Sequence, residues 1–142
     1  MATRRYAEGT KVPVGQSRAE LERVLERYGA QAFAYGVDVE RAVIQFRAHG
    51  RHVRFDLPLA DLDEREIRRR WRALVLVVKS KLEAVETGIV TFEEEFLAHI
   101  VLPDGSKVAD WMAPQLEEAY ESGRMPELLP PARGELTAGG RS

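Results

Sequence analysis

Two segments in which apolar and polar residues alternate, 41–48 and 51–59, constrain the fold more than any other feature of this chain. Alternation with a period of two places the apolar side chains on one side of a β-strand. Glycine at the first central position favours a type II′ turn, so we expect Gly50 and Arg51 to form the turn of a β-hairpin.

The position of the turn sets which residues face one another. The apolar residues meet on a buried side, and the polar residues meet on an outer side. The predicted outer pairs are Arg47–Arg54, His49–His52 and Gln45–Asp56. Like charges directly opposed cost about 0.2–1 kcal/mol, so an anionic partner would stabilise the opposed arginines. With Arg41 and Arg51 nearby and Tyr35 on the same side, this surface is typical of a platform for a nucleic-acid backbone.

A second basic group surrounds the first turns of the next predicted helix, and its members are Arg65, Arg68, Arg69, Arg70 and Arg72. If the two groups are contiguous, we expect Arg68 and Arg72 to extend the binding surface. The alternative for both groups is a solvated face. In that interpretation Asp56 and helix glutamates neutralise the sheet arginines, and acidic residues at helical spacing pair with the helix arginines.

Helical signals lie on both sides of the strands. Ser17 and Glu20 have the spacing of a capping box, and Gly29 is suited to end a helix over 18–28. Residues 63–87 carry apolar side chains at steps of three and four, with a middle that is apolar all round and therefore expected to be covered on more than one side. The pattern predicts an α+β fold with the following order: N-terminal helix, three-stranded antiparallel meander over 31–59, long central helix, short helix from Thr91, small hairpin near 100–108, and C-terminal helix over 109–122.

Length and composition limit the organisation. The chain has 142 residues, enough for one ordinary core, and we expect a polar leader over 1–11, a single domain over 12–124 and a tail rich in Pro and Gly over 125–142. Cysteine is absent, which excludes disulfides and thiolate metal sites. No apolar run is long enough to span a bilayer, so we expect a cytoplasmic protein without a membrane partner. Asparagine is absent and arginine far outnumbers lysine, which fits a thermophilic or GC-rich host.

Catalytic signals are weak. Glu95 and His99 are four residues apart on a predicted helix and are the only metal-ligand pair of note, but metal catalysis needs at least a third ligand. Phosphate-binding, dinucleotide-binding and nucleophile-elbow motifs are all missing. We therefore expect no cofactor, and an enzyme is the least favoured class.

Three stretches resemble a set of small bacteriophage and prophage-like bacterial proteins with no assigned activity. They are Arg-Trp-Arg-Ala-Leu at 70–74, Thr-Phe-Glu-Glu-Glu-Phe-Leu-Ala-His-Ile at 91–100 and Leu-Pro-Asp-Gly at 102–105. The resemblance covers most of residues 6–130. It implies a phage or mobile-element setting and transfers no catalytic residues. The order of three strands and a long helix also resembles the β-β-β-α core of phage single-strand annealing recombinases, of which no motif is matched.

Two hypotheses for function follow. The first is a non-catalytic accessory protein that binds nucleic acid, DNA or RNA, through the basic outer side of the sheet. The second is a protein-binding regulator of phage type that acts on a host or phage protein, such as a polymerase or a defence factor. Its contact would be the acidic C-terminal third, through Leu128 and Leu129. Under either hypothesis a homo-oligomer can form, because three strands leave two free edges.

Overall fold

A computed structural model describes the backbone of residues 2–125 and the side chains of residues 15–125. The chain forms a first compact unit that ends at Val108 and a second that begins at Ala109. The helices are α1 (Ala2–Arg27), α2 (Glu64–Glu86), α3 (Phe92–Phe96) and α4 (Val108–Ser122), and the strands are β1 (Ala32–Val37), β2 (Arg41–Ala48) and β3 (Arg51–Pro58). A 3₁₀ turn, Leu97–His99, follows α3, and a single bridge between Val101 and Lys107 lies where a small hairpin was expected. The α+β class and the order of elements are confirmed.

Helix α1 begins earlier than its sequence signal predicts. Ser17 lies within the helix and is only 7% exposed, so its spacing to Glu20 does not mark a helix start. The end at Gly29 is confirmed, because Gly29 has a φ of 91° and its amide donates to Glu26 O at 3.1 Å. The amide of Ala30 donates to Leu25 O at 2.9 Å, which completes a Schellman motif.

Helices α2 and α3 each begin at a side-chain cap. Asp63 accepts from the amide of Glu66 at 2.8 Å, and Thr91 and Glu94 form a reciprocal capping box. Trp71 is fully buried at the centre of α2. The middle of α2 is covered on more than one side, by α1 and by the core beneath the sheet, but not all round, because Leu76 is 65% exposed.

The sheet has the order β1-β2-β3 with antiparallel neighbours, as expected, but the register of the hairpin differs from the prediction by two residues. The turn consists of His49 and Gly50, whose φ angles of 53° and 74° are the left-handed pair that a type I′ turn requires. Types I′ and II′ both match the twist of the flanking strands, so twist does not decide between them; the stacking of His49 on Phe92 favours the observed turn. A shift of two residues leaves each side chain on its predicted side of the sheet.

Helices α1 and α2 and the short α3 lie against one side of the sheet, which we call the inner side. Phe96 of α3 contacts Phe46 and Phe55 edge-to-face, with ring centroids 5.8 and 6.4 Å apart. The opposite or outer side carries the alternate residues of β2 and β3, among them Arg47 and Arg54. The fold therefore buries one side of the meander and turns its polar side away from the core.

Candidate nucleic-acid interface

A group of cations surrounds one carboxylate on the outer side of the sheet. The Asp56 cluster, as we call it, consists of Asp56, Arg41, Arg54 and Lys107. The Lys107 ammonium lies 2.9 Å from Asp56 Oδ2, and Arg54 Nε and Arg41 Nη1 lie 3.5 and 3.9 Å from Oδ1. Arg54 also donates to the carbonyl of Gly105 at 3.0 Å, which fixes its guanidinium against the 102–107 loop. Asp56 thus orders three cations without neutralising them all.

The charge state of the cluster follows from its geometry. Burial raises the pKa of Asp56, but the hydrogen bond from Lys107 and the charges of Lys107, Arg54 and Arg41 outweigh it, so the pKa lies below its usual value. The carboxylate is therefore ionised at neutral pH. Together with Arg47, four cations share this one anion, and the exposed Asp104 on the adjoining loop offsets part of the excess. The outer side has a net positive charge.

Arg47 is exposed, and no carboxylate of the described residues forms an ion pair with it. It lies opposite His52, while Arg54 lies opposite Gln45, so the predicted direct opposition of Arg47 and Arg54 is wrong. The two arginines are diagonal neighbours instead. Their separation spares the sheet much of the repulsion that the predicted register would impose.

His52 forms a hydrogen-bonded pair with Gln45, with 2.6 Å between Nε2 and Oε1. Burial lowers the pKa of His52, and the charges of Arg47 and Arg54 lower it further. The imidazole is therefore neutral at pH 7 and contributes hydrogen bonding, not charge, to the outer side.

Three residues expected on this surface lie elsewhere. Arg51 is opposite Ala48 on the inner side and pairs with Glu93 at 2.8 Å. His49 is in the turn, and its ring stacks on Phe92 with centroids 4.6 Å apart. Tyr35 is opposite Ile44 on the inner side, where the Arg18 guanidinium covers its ring and donates to its hydroxyl. The outer side consequently offers phosphate contacts without an aromatic stacking platform.

The arginines of α2 divide into two sets. Arg68 pairs with Glu64 at 3.8 Å, as the solvated-face interpretation predicts, and Arg72 is exposed. Arg69 and Arg70 share Glu66 at 3.3 and 3.5 Å.

An open cleft of about 480 Å³ separates β3 from α2, and Asp56, Arg69 and Arg70 all line it. Arg70 spans from α2 to the carbonyl of Pro58 at 3.2 Å. Arg69 and Arg70 thus share the cleft with the carboxylate of the Asp56 cluster, whereas Arg68, Arg72 and the cations of the sheet do not line it. Lys107 was not predicted either, because the bridge between Val53 and Ile100 brings the loop to the sheet and the bridge between Val101 and Lys107 folds the loop back on itself.

The weak metal-ligand pair is not assembled. Helix α3 ends at Phe96, so Glu95 and His99 do not share a helical face. The carboxylate of Glu95 pairs with Lys81 at 3.1 Å, and the His99 ring stacks on Phe55 with centroids 4.1 Å apart. Within the described part of the chain, no group of three or more His, Asp or Glu side chains could hold a metal ion.

Leu128 and Leu129, predicted to contact a protein partner, lie outside the described residues. In the part of the chain that the structure covers, every helix is too short or too polar to cross a membrane. Comparisons with protein-family models, with curated proteins and with solved structures give no match. Functional inference therefore rests on the residues of this chain.

Proposed function

We propose that this chain is a non-catalytic accessory protein, of the phage type that it resembles, which binds nucleic acid through the outer side of its sheet. One observation carries the proposal: cations outnumber carboxylates on this side. The cations are Arg41, Arg47, Arg54 and Lys107, and the carboxylate among them is Asp56.

The mechanism is contact with the phosphate backbone. The Arg41 side chain is 59% exposed to solvent and Arg47 is exposed as well, so both guanidiniums can reach phosphate oxygens. On the outer side of β1 stand only Ala32, Ala34 and Gly36, which let a strand of nucleic acid approach the sheet closely. Because no Phe, Tyr or Trp among residues 15–125 lies on the outer side, binding is expected to depend little on base sequence.

Titration of a labelled single strand, followed by fluorescence anisotropy across a salt series, tests the proposal. With Asp104 counted, a net charge of about two predicts that log K falls with log [salt] with a slope of about −1.4, from roughly 0.7 per neutralised phosphate. Arg41→Gln/Arg47→Gln should weaken binding about twentyfold at 0.1 M salt by the same relation.

The matched control is Arg23→Gln/Arg27→Gln, which removes the same charge from exposed positions of α1. This pair should change affinity much less, because α1 packs on the inner side of the sheet. Equal losses in both variants, or no salt-dependent binding by the wild type, would refute the proposal.

Helix α4 favours a second candidate function, the protein-binding regulator. None of its residues is buried, and Trp111 and Tyr120 are 50% and 84% exposed. Exposed aromatic side chains are enriched at protein interfaces. Trp111→Ala/Tyr120→Ala should abolish capture of a specific host or phage protein by the full chain, and capture that is unchanged would remove this candidate.

A further inference from the structure

The outer edge of β1 carries unpaired backbone groups. The backbone amides and carbonyls of the even-numbered residues point towards β2; these residues are Ala32, Ala34 and Gly36. Asp38 follows the same pattern, because its amide donates to Arg41 O at 3.0 Å. Because backbone groups alternate in direction along a strand, the amides and carbonyls of the odd-numbered residues point away from β2. These residues are Phe33, Tyr35 and Val37. Among residues 2–125, no strand or bridge pairs with them.

The two edge strands, β1 and β3, differ in how well they are protected from pairing with a further strand. Strand β3 forms a bridge with Ile100 at Val53 and ends at Pro58, which has no amide hydrogen to donate. Arg70 donates to the carbonyl of Pro58. Strand β1 has none of these features, because its six residues include no charge and no proline. Proteins normally protect edge strands with such devices. An unprotected edge beside a protected one indicates that the β1 edge is used for pairing.

Exposed apolar side chains collect on the same strand. Tyr35 is 41% exposed and Val37 is 52% exposed, although both point to the inner side of the sheet. Phe33, partly buried, stacks on Tyr35 with centroids 6.5 Å apart. A partner strand that lies beside β1 would cover all three side chains.

We infer that β1 pairs antiparallel with β1 of a second copy of this chain, about a two-fold axis at Tyr35. This register uses the whole strand, with Phe33 opposite Val37 of the other copy and Tyr35 opposite its counterpart. On the outer side Ala34 lies opposite Gly36 of the other copy. This pairing opposes no charged side chains, because β1 carries none. The chemistry of the strand therefore suits a second copy of itself.

The dimer would have one continuous six-stranded sheet. Its outer side would join the two Asp56 clusters, with the two β2 strands about 14 Å apart, or three strand spacings. Dimerisation itself does not rest on the proposed function. Its consequence for nucleic acid does, because the dimer would double the cations that one strand of nucleic acid meets.

Sedimentation equilibrium of the full chain over a concentration series tests the inference, with charge pairs that report the register. Ala34 and Gly36 are both exposed, and a Cβ added at Gly36 meets no atom within 4 Å. Ala34→Lys/Gly36→Lys opposes like charges twice across the axis and should raise the dimer dissociation constant about two- to thirtyfold. The matched variants Ala34→Lys/Gly36→Glu and Ala34→Glu/Gly36→Lys oppose unlike charges and should restore the dimer.

A wild-type chain that is monomeric at its highest soluble concentration would overturn the inference. So would a dimer that persists equally in all three variants, since another surface would then form it. Circular dichroism melts of the variants establish that each is folded, and Ala34→Glu/Gly36→Glu, which also opposes like charges twice, takes the place of the two-lysine variant if that variant does not fold. A dimer that binds no nucleic acid would refute only the proposed function, and a monomer that binds it would refute only the dimer.

Discussion

Replacing Asp56 with asparagine should change protein stability and nucleic-acid binding in opposite directions, because the cations around Asp56 contribute to both. The charge-assisted hydrogen bond between Asp56 and Lys107 at 2.9 Å contributes about 1.5–3 kcal/mol to folding. The longer pairs with Arg54 and Arg41 contribute about 0.2–1 kcal/mol each. Asparagine keeps one oxygen that can accept from Lys107, so the net loss in the free energy of unfolding should be about 2 kcal/mol. For a chain of this length that lowers Tm by about 6 °C.

The same substitution should strengthen nucleic-acid binding. Loss of the carboxylate raises the net charge of the surface by one, which steepens the salt slope by about 0.7 and tightens binding about fivefold at 0.1 M salt. Anisotropy titrations at temperatures well below the lowered Tm measure this gain. Glu83→Gln, which removes an exposed carboxylate from α2, is the control and should alter neither quantity appreciably.

A protein that is less stable and yet binds more tightly is hard to explain unless Asp56 lies within the binding surface. If Asp56→Asn lowers Tm and leaves affinity unchanged or weaker, the cluster is a structural salt-bridge network. The proposed interface would then be wrong, even if the chain binds nucleic acid elsewhere.

Three further substitutions test the fold. Trp71→Ala should lower the free energy of unfolding by about 3–5 kcal/mol in urea titrations, because the indole is 0% exposed and its removal leaves a cavity; a loss below 1 kcal/mol would contradict the central place of Trp71. Gly50→Ala should cost about 1–2 kcal/mol through its φ of 74° alone, since no atom crowds the added methyl group, and an unchanged midpoint would argue against the type I′ turn. The pKa of His99 is lowered, first by burial and then by Lys107 and Lys81, so protons bind the unfolded chain preferentially. Stability is therefore complete above about pH 6.5 and falls as pH drops from there towards the lowered folded-state pKa; His99→Gln should reduce that fall in urea midpoints, and an undiminished fall would assign it to other groups.

The order of elements could be predicted because the hydrophobic pattern within each segment indicates its secondary structure. Alternation marked β2 and β3, and apolar side chains at steps of three and four marked α2. The turn could not be placed in the same way. A glycine signals positive φ, but nothing local indicates that His49 also adopts it, and the stacking on Phe92 belongs to tertiary structure.

The candidate interface was predictable only as a side of the sheet. Period two assigns Arg41, Arg47 and Arg54 to one side whatever the register, so these three residues survived a two-residue error. Tyr35 was placed on the wrong side because its strand lacks clear alternation. Lys107 and Arg70 reach the sheet through a bridge and a helix crossing, and no sequence spacing encodes such contacts.

Helix α3 has a consequence for how the chain folds. A helix of five residues is not stable alone in water. Helix α3 is therefore stable only while Phe92 and Phe96 are buried against the hairpin. Phe46 and Phe96 are fifty residues apart, and closing that long loop has to precede any benefit from their contact. Helix α3 should therefore form late, after the local hairpin on which it packs, and its amides should exchange as soon as the contact between Phe46 and Phe96 opens.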